Sequence, residues 1–150
     1  MTQKLILIRG LPGSGKNFLA DKLAKEINGV VVSADDFFMK DGKYQFSFDY
    51  LSAAHKWCFG TVAKELFTGN SVVLANTFTQ KWEGEQYLDL VFNLKIQWEI
   101  VEPTTKWRYD VQECTKRNTH NVPESTIQKM LDRFEKTSEL LKQFEKYKVV

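Results

Sequence analysis

Short apolar runs alternate with longer amphipathic segments along most of the chain. The short runs have the length of strands and lie between turn residues, whereas the longer segments repeat apolar side chains every three or four positions, as helices do. The predicted strands, in chain order, are Leu5–Ile8, Val30–Val32, Ser71–Ala75 and Lys95–Val101. The predicted helices are Asn17–Ile27, Tyr50–Thr68, Thr79–Phe92, Thr104–Asn118 and a long amphipathic helix over Ser125–Tyr147.

This alternation predicts an α/β fold with a parallel sheet of four to five strands and helices on both of its faces. We expect it to form a single domain over residues 1–150. Parallel sheets of this kind bind ligands beyond the carboxyl ends of their strands. The polar segments Gly10–Asn17, Ser33–Asp36 and Asn76-Thr77 each follow a predicted strand. The sequence therefore predicts one functional site at this edge of the sheet.

The composition is that of a folded protein, with 43% hydrophobic and 27% charged residues. The apolar runs are much shorter than the roughly 20 residues that cross a bilayer, so no membrane association is expected. A formal net charge of +2 does not by itself indicate a nucleic-acid partner. Cys58 and Cys114 lack metal-site spacing, and we expect buried thiols in a cytoplasmic protein without a signal peptide. We interpret most of the four tryptophans as core residues.

The segment after the first strand fits the phosphate-binding pattern G-x-x-x-x-G-K, with a strand before it and a helix after it. Its glycines let successive backbone N–H groups converge on phosphate oxygens, and the helix adds its positive N-terminal end. Lys16 is placed to reach the β- and γ-phosphates. The predicted nucleotide-binding residues are Gly10, Leu11, Pro12, Gly13, Ser14, Gly15, Lys16, Asn17 and Phe18.

Asn17 departs from this pattern, because a Ser or Thr normally gives its hydroxyl to Mg²⁺ at that position. An amide side chain is longer and neutral, whereas Mg²⁺ demands near-ideal octahedral geometry. We predict Asn17 and Asp36 as the metal ligands. A metal held differently, weakened binding and an impaired site all stay open as interpretations of Asn17.

Asp35 and Asp36 follow the second strand, which we expect to lie beside the phosphate-loop strand. Phosphoryl transfer to an alcohol needs a carboxylate to accept the hydroxyl proton. Asp35 is the predicted general base, because two adjacent aspartates cannot both point at one hydroxyl. For Asp36 a cap of the following segment is an equal alternative to a functional role. The aromatic stretch Asp41–Phe48 is expected on the acceptor side, or else as a short strand packed on the core.

Positive charge concentrates around the predicted helix Thr104–Asn118 and its exit. A kinase uses such groups to neutralise charge on the transferring phosphoryl. Arg117 is the predicted lid arginine, because Asn118–Asn121 breaks the helix directly after it and would permit movement. We interpret His120 as a structural residue or a phosphate contact rather than a general base.

Three stretches together resemble the P-loop kinase superfamily around polynucleotide 5′-hydroxyl kinase, and most of all the kinase-like domains of the NEDD-four-binding-protein-two-like group. They read GLPGSGKN, then SADDFF, then the series EPTTKWRYDVQEC, KRNTHNVP and IQKMLDRFE. The resemblance covers Leu5–Glu135. It implies a kinase-type sheet with a helical lid, ATP as the phosphoryl donor with Mg²⁺, and Lys16 on the phosphates. It also implies Asp35 as the general base toward a nucleic-acid 5′-hydroxyl and Arg117 in the lid.

The chain departs from these relatives at the end of the third strand, where they carry D-N-T-N and this sequence has Ala75–Phe78. Asn17 and Ala75 together remove two oxygen groups expected near the metal. Three functions therefore stay open. They are a polynucleotide 5′-hydroxyl kinase, a kinase for a small nucleoside or metabolite, and a catalytically degenerate ATP-binding module that acts through protein partners.

Overall fold

The computed structural model describes residues 2–149, so Met1 and Val150, the predicted ends of the domain, lie outside the described residues. Its elements follow the predicted alternation of strands and helices. In chain order they are β1 (Lys4–Ile8), α1 (Lys16–Ile27), β2 (Val30–Val32), β3 (Met39–Lys40), β4 (Lys43–Tyr44), α2 (Leu51–Phe67), β5 (Val72–Ala75), α3 (Lys81–Leu94), β6 (Gln97–Val101), α4 (Val111–Arg117), α5 (Glu124–Asp132) and α6 (Thr137–Gln143). Short 3₁₀ turns lie at Ala34–Phe38, Phe48–Tyr50 and Glu145–Tyr147.

Four strands form one parallel sheet in the order β2–β5–β1–β6, which confirms the predicted fold class. The side chains of β1 alternate between its two faces. On one face Leu5 and Leu7 pack with residues of α2, α3 and α6, and on the other Ile6 and Ile8 pack against α1. The apolar sequences of β1 and β5 follow from this burial on both faces.

The position of β2 differs from the prediction, because β2 pairs with β5 and not with β1. Every residue of β5 is buried, so this strand fills the place beside β1. The β2 strand is short and Val30 is 37% exposed, which suits the outer edge of the sheet. Asp35 therefore follows a strand that is one place further from the phosphate loop than expected.

A third apolar cluster, separate from the two sheet faces, unites the phosphate loop with the last part of the chain. It is centred on Leu11, Cys114 and Ile127. We refer to α4, α5 and residues 118–123 between them as the lid. Because Leu11 belongs to the phosphate loop, the lid packs directly on that loop.

The helix predicted over Thr104–Asn118 is wrong in its first half, since α4 begins only at Val111. Residues 104–110 instead cross the phosphate loop, where the Thr105 hydroxyl donates to the Ser14 carbonyl (2.7 Å). The Asp110 side chain then accepts a hydrogen bond from the Glu113 N–H and caps α4.

The single helix predicted over Ser125–Tyr147 is also wrong, because the chain leaves helical geometry between α5 and α6. The Arg9 guanidinium binds the Glu135 carbonyl and the Thr137 hydroxyl, and the Glu135 N–H donates to the Thr79 carbonyl. These contacts use the polar groups that would otherwise continue the helix. The break also shifts the apolar face, so Leu140 is buried and Leu141 is 36% exposed.

The prediction that most of the tryptophans are core residues is also wrong. Trp82 is 71% exposed and Trp57 is 39% exposed. Trp98 and Trp107 are partly buried, and each donates its indole N–H to a backbone carbonyl. Within the described part of the chain, no helix is long and apolar enough to cross a membrane.

Candidate functional site

The phosphate loop connects the buried strand β1 to α1 and depends on glycine for its shape. Gly13 and Gly15 have positive φ values of 80° and 105°, a region that residues with a Cβ rarely adopt. A Cβ at Gly13 would lie only 2.3 Å from the Cys114 carbonyl oxygen. Gly13 therefore allows both the turn of the loop and the close approach of the lid.

Two polar groups inside this loop fit a bound phosphate. The Ser14 hydroxyl is buried and has no hydrogen-bond partner among residues 2–149. Lys16 Nζ donates to the carbonyls of Gly10 and Leu11, at 2.8 and 2.9 Å. Burial lowers the pKa of Lys16 to about 8, and the nearby Asp35 carboxylate opposes part of this shift. An anion in the loop would accept a hydrogen bond from the Ser14 hydroxyl and would place a negative charge beside the Lys16 ammonium.

The other predicted nucleotide and metal residues, Asn17, Phe18 and Asp36, are more exposed than Ser14 and Lys16. The side chains of Asn17 and Phe18 are exposed on the first turn of α1, Phe18 to 80%. Residues 2–149 contain no group of three or more His, Cys, Asp and Glu side chains that could hold a metal. In kinases and ATPases, however, Mg²⁺ is usually held by only one or two carboxylates together with substrate phosphates. Asn17 and Asp36 as its ligands therefore stay a prediction.

The two adjacent aspartates lie in the 3₁₀ turn that follows β2, but their side chains have different contacts. Ser33 caps this turn, accepting from the Asp35 N–H at 3.2 Å, while Asp36 Oδ2 accepts from the Ser33 N–H at 3.1 Å. Asp36 thus takes part in a capping box. Partial burial raises the pKa of its carboxyl group. The Asp35 carboxylate makes neither of these two capping bonds, and its side chain is 49% exposed.

Asp35 is contacted by two aromatic residues from different parts of the chain. The Tyr44 hydroxyl donates to its Oδ1 at 3.0 Å, and His120 Nδ1 lies 3.3 Å from its Oδ2. The Tyr44 and His120 rings are stacked, with centroids 3.9 Å apart and planes 15° apart. Burial, together with the Asp35 charge, raises the pKa of Tyr44, so this phenol stays a donor. The structure therefore places His120 on the predicted base.

The end of β5 links the phosphate loop to the Asp35 turn. The Asn76 N–H donates to the Ile8 carbonyl, and its side-chain Oδ1 accepts from the Ala34 N–H at 2.9 Å. The Thr77 carbonyl accepts from the Gly10 N–H. All three polar segments predicted for this sheet edge are thus joined. Ala75, where related proteins were expected to have an aspartate, is buried.

Arg117 lies along its own helix in this structure. Its Nε is 3.0 Å from Glu113 Oε1, and its guanidinium carbon is 3.7 Å from the centre of the Trp107 ring. The loop after Arg117 is held by the Asn118 side chain, which accepts from the Val122 N–H and donates to the Thr115 carbonyl, both at 2.8 Å. The predicted movement of Arg117 toward a phosphoryl group therefore stays a prediction.

The contacts that fasten residues 104–110, directly before the lid, to the phosphate loop were not predicted from the sequence. Besides the Thr105 bond to Ser14, the Trp107 indole N–H donates to the Gly13 carbonyl at 3.1 Å. The partners in these two bonds are 91 and 94 positions apart. No local pattern in the sequence marks such distant pairs.

A glycine-rich loop between a buried parallel strand and a helix, with a lysine and a buried hydroxyl inside it, defines a P-loop nucleotide-binding protein of the kinase-like type. Comparison with known proteins agrees. Residues 5–137 match the family described as AAA domain, and the chain belongs to that family.

Individual relatives point the same way. The chain is 39% identical over 135 residues to NEDD4-binding protein 2 of Homo sapiens, a match that covers 88% of this chain and only 8% of that protein. A chain of the Pnkp1/Rnl/Hen1 RNA repair complex has a similar fold, with a TM-score of 0.71, 24% identity and coverage of 92% of this chain and 46% of that one. A gluconokinase from Sinorhizobium meliloti 1021 aligns with a TM-score of 0.60, 14% identity and coverage of 89% and 75%.

Proposed function

We propose that this protein is an ATP-dependent phosphotransferase whose acceptor is the 5′-hydroxyl of a polynucleotide. The observation that carries the proposal is that Asn76 and Thr77 hydrogen-bond both to the start of the phosphate loop and to the turn that bears Asp35, so Lys16 and Asp35 belong to one sheet edge. Lys16 and the loop N–H groups would hold the triphosphate, and Asp35 would accept the proton of the attacking hydroxyl. Bound ATP would supply the phosphoryl group.

The surface beside Asp35 favours a polynucleotide over a small acceptor. A continuous series of aromatic rings leads from α2 to Asp35, with neighbouring centroids 3.9–6.3 Å apart. Its members are Trp57, Phe37, Phe38, Phe46, Tyr44 and His120. Phe46 is 50% exposed and Trp57 is 39% exposed, so bases could stack on them. A sugar or free nucleoside would leave most of this surface unused.

The proposal includes Mg²⁺ as the companion of ATP and a cytoplasmic location. The exposed Asn17 amide would provide an oxygen to the metal, with phosphate oxygens completing the coordination. Cys58 and Cys114 are both free and buried, which is consistent with a reducing compartment.

A second candidate is a catalytically degenerate ATP-binding module that acts through protein partners. Three features favour it: Asn17 replaces the usual hydroxyl ligand, Ala75 is buried and carries no carboxylate, and Asp36 is committed to a cap. None of them removes the phosphate loop, so this candidate predicts ATP binding without transfer.

The test is transfer of the labelled γ-phosphate of ATP to 5′-hydroxyl DNA and RNA oligomers, beside a panel of nucleosides and sugars, with Mg²⁺ or Mn²⁺. Asp35→Asn should slow transfer by about 10²–10⁴-fold, the usual contribution of a general base, with ATP affinity nearly unchanged. Asp36→Asn should have a milder effect if Asp36 serves only as a cap, because an amide oxygen can still accept from the Ser33 N–H. Wild-type protein that binds ATP but transfers to no acceptor with either metal would favour the binding module. Transfer to nucleosides or sugars alone would replace the polynucleotide acceptor.

A further inference from the structure

The base proposed for this site is held from two sides by side chains that its own strand does not supply. Tyr44 belongs to the hairpin of β3 and β4, and His120 belongs to the lid, yet each faces a different oxygen of Asp35. The His120 side chain is 25% exposed, whereas that of Asp35 is 49% exposed. Both oxygens of the Asp35 carboxylate are therefore contacted, while about half of the side chain remains exposed to solvent.

We propose that His120 and Tyr44 are positioning residues for Asp35, and that His120 makes the position of this carboxylate depend on the seating of the lid on the phosphate loop. The proposal rests on the function proposed above. It adds a route by which the phosphate loop, where the nucleotide would bind, affects the position of Asp35, which would act on the acceptor.

A hydroxyl donor on one oxygen and an imidazole nitrogen beside the other restrict the plane of the carboxylate without removing its ability to accept a proton. Each carboxylate oxygen has two lone-pair directions, so each oxygen still has one free for a substrate hydroxyl. The stacked Tyr44 and His120 rings also restrict each other. A base fixed in this way is already oriented for attack, and misplacement by about 1 Å can cost on the order of 10²-fold in rate.

The route from the phosphate loop to His120 is short and made of direct contacts. The end of α4 lies against Gly13, where the Cys114 carbonyl and the Asn118 N–H would be 2.3 and 2.9 Å from an added Cβ. The Asn118 side chain then closes the next turn through its bonds to Thr115 and Val122. His120 lies inside that turn. A shift of α4 on Gly13 would therefore be passed on to the imidazole that faces Asp35.

The kinetic test uses His120→Ala and Tyr44→Phe, with His55→Ala and Tyr50→Phe as matched controls because His55 and Tyr50 are exposed and belong to neither contact. Each test variant should lower kcat for transfer by on the order of 10–100-fold and leave ATP affinity unchanged. His120→Asn keeps an N–H donor near the position of Nδ1 and should recover much of the loss. In an Asp35→Asn background, neither variant should lower the rate further. Equal losses in kcat and ATP affinity without rescue by Asn would show a merely structural role and overturn the proposal.

A spectroscopic test needs no phosphotransfer. If Nδ1 carries the proton that faces Asp35, long-range ¹H–¹⁵N correlation at alkaline pH should show the Nδ1–H tautomer of His120. Asp35→Asn and Gly13→Ala should each lose this signature, and Gly69→Ala should keep it. An unchanged tautomer in the Asp35 or Gly13 variant overturns the inference whatever the activity. If the variants show the expected tautomer changes but the wild-type protein transfers no phosphate, the proposed function is overturned, and the positioning role with it.

Discussion

Burial lowers the pKa of the Lys16 ammonium to about 8 from an ordinary 10.5, even though this group donates to two backbone carbonyls. A triphosphate would place negative charge beside it and return the pKa toward its ordinary value. Because the pKa is then higher in the bound state, ATP binding takes up protons at pH values between the two pKa values. The affinity correspondingly falls as the pH rises through that window, by up to about tenfold per pH unit.

Calorimetry of ATP binding at about pH 9, without divalent metal and in two buffers of different ionisation enthalpy, measures this uptake. We expect close to one proton for the wild type. Lys16→Arg should take up none, because a guanidinium is charged throughout this range. Heats that are the same in both buffers for the wild type would show that Lys16 does not change its protonation on binding.

Asn17 tests whether the metal site is weakened at a single side chain. Its amide is exposed, so Asn17→Ser should change the free energy of unfolding by no more than about 0.5 kcal/mol. The hydroxyl restores the usual Mg²⁺ ligand, so Mg²⁺ should strengthen ATP binding more in the variant than in the wild type. Titrations with and without Mg²⁺ measure the difference, with Asn17→Ala as the control. No gain for Ser over Asn would mean that the amide already serves the metal or that the metal binds elsewhere.

At the scale of elements, α4 packs directly against the phosphate loop at Gly13. Gly13→Ala would put a methyl group 2.3 Å from the Cys114 carbonyl at a φ of 80°, so we expect the lid to move away and ATP affinity to fall at least tenfold. The φ strain alone costs about 1–2 kcal/mol. Gly69→Ala isolates that strain, because Gly69 has a φ of 93° with open space around it.

Unfolding and ATP titration of both glycine variants separate the two effects. Both should lose stability, but only Gly13→Ala should lose ATP affinity. Equal ATP affinity in the two variants would show that the seating of the lid does not matter for the nucleotide.

Contacts between residues 104–110 and the phosphate loop explain why the start of α4 could not be predicted. The sequence from Thr104 onward has helical spacing, yet Thr105 and Trp107 bind the phosphate loop and delay the helix until Asp110 caps it. Individual backbone hydrogen bonds contribute only about 1 kcal/mol net. A few long-range contacts can therefore override a weak local preference for helix.

At the scale of the whole molecule, Arg9 joins three parts of the fold. It is 1% exposed, and its guanidinium binds the carbonyls of Phe78, Thr79 and Glu135 while lying 4.0 Å from the Phe134 ring centre. Arg9→Met would leave the Phe78 and Glu135 carbonyls without their donor, whereas the Thr79 carbonyl keeps the Glu135 N–H. At about 1–3 kcal/mol for each unsatisfied group, we expect a loss of at least about 2 kcal/mol in the free energy of unfolding.

Urea unfolding measures this loss. Arg108→Met is the control, since Arg108 is only half-buried and makes one hydrogen bond to a backbone carbonyl, that of Thr105. A loss no larger than that of the control would mean that water or a rearranged connection satisfies the carbonyls. Arg9 carried no signal in the sequence, where it reads only as the residue before the glycine-rich loop.

The sequence by itself determined the alternating strands and helices, the phosphate loop and the polar segments at one sheet edge. These features are local: the period of apolar side chains, the glycines of a turn, and the direction of parallel strands fix them within a few residues of chain. Only the tertiary structure decided that β5 separates β1 from β2, that α5 and α6 are interrupted, and that Tyr44 and His120 face Asp35. Each of these depends on contacts between segments that are distant along the chain, and the hydrophobic pattern of a single segment carries no information about its partner.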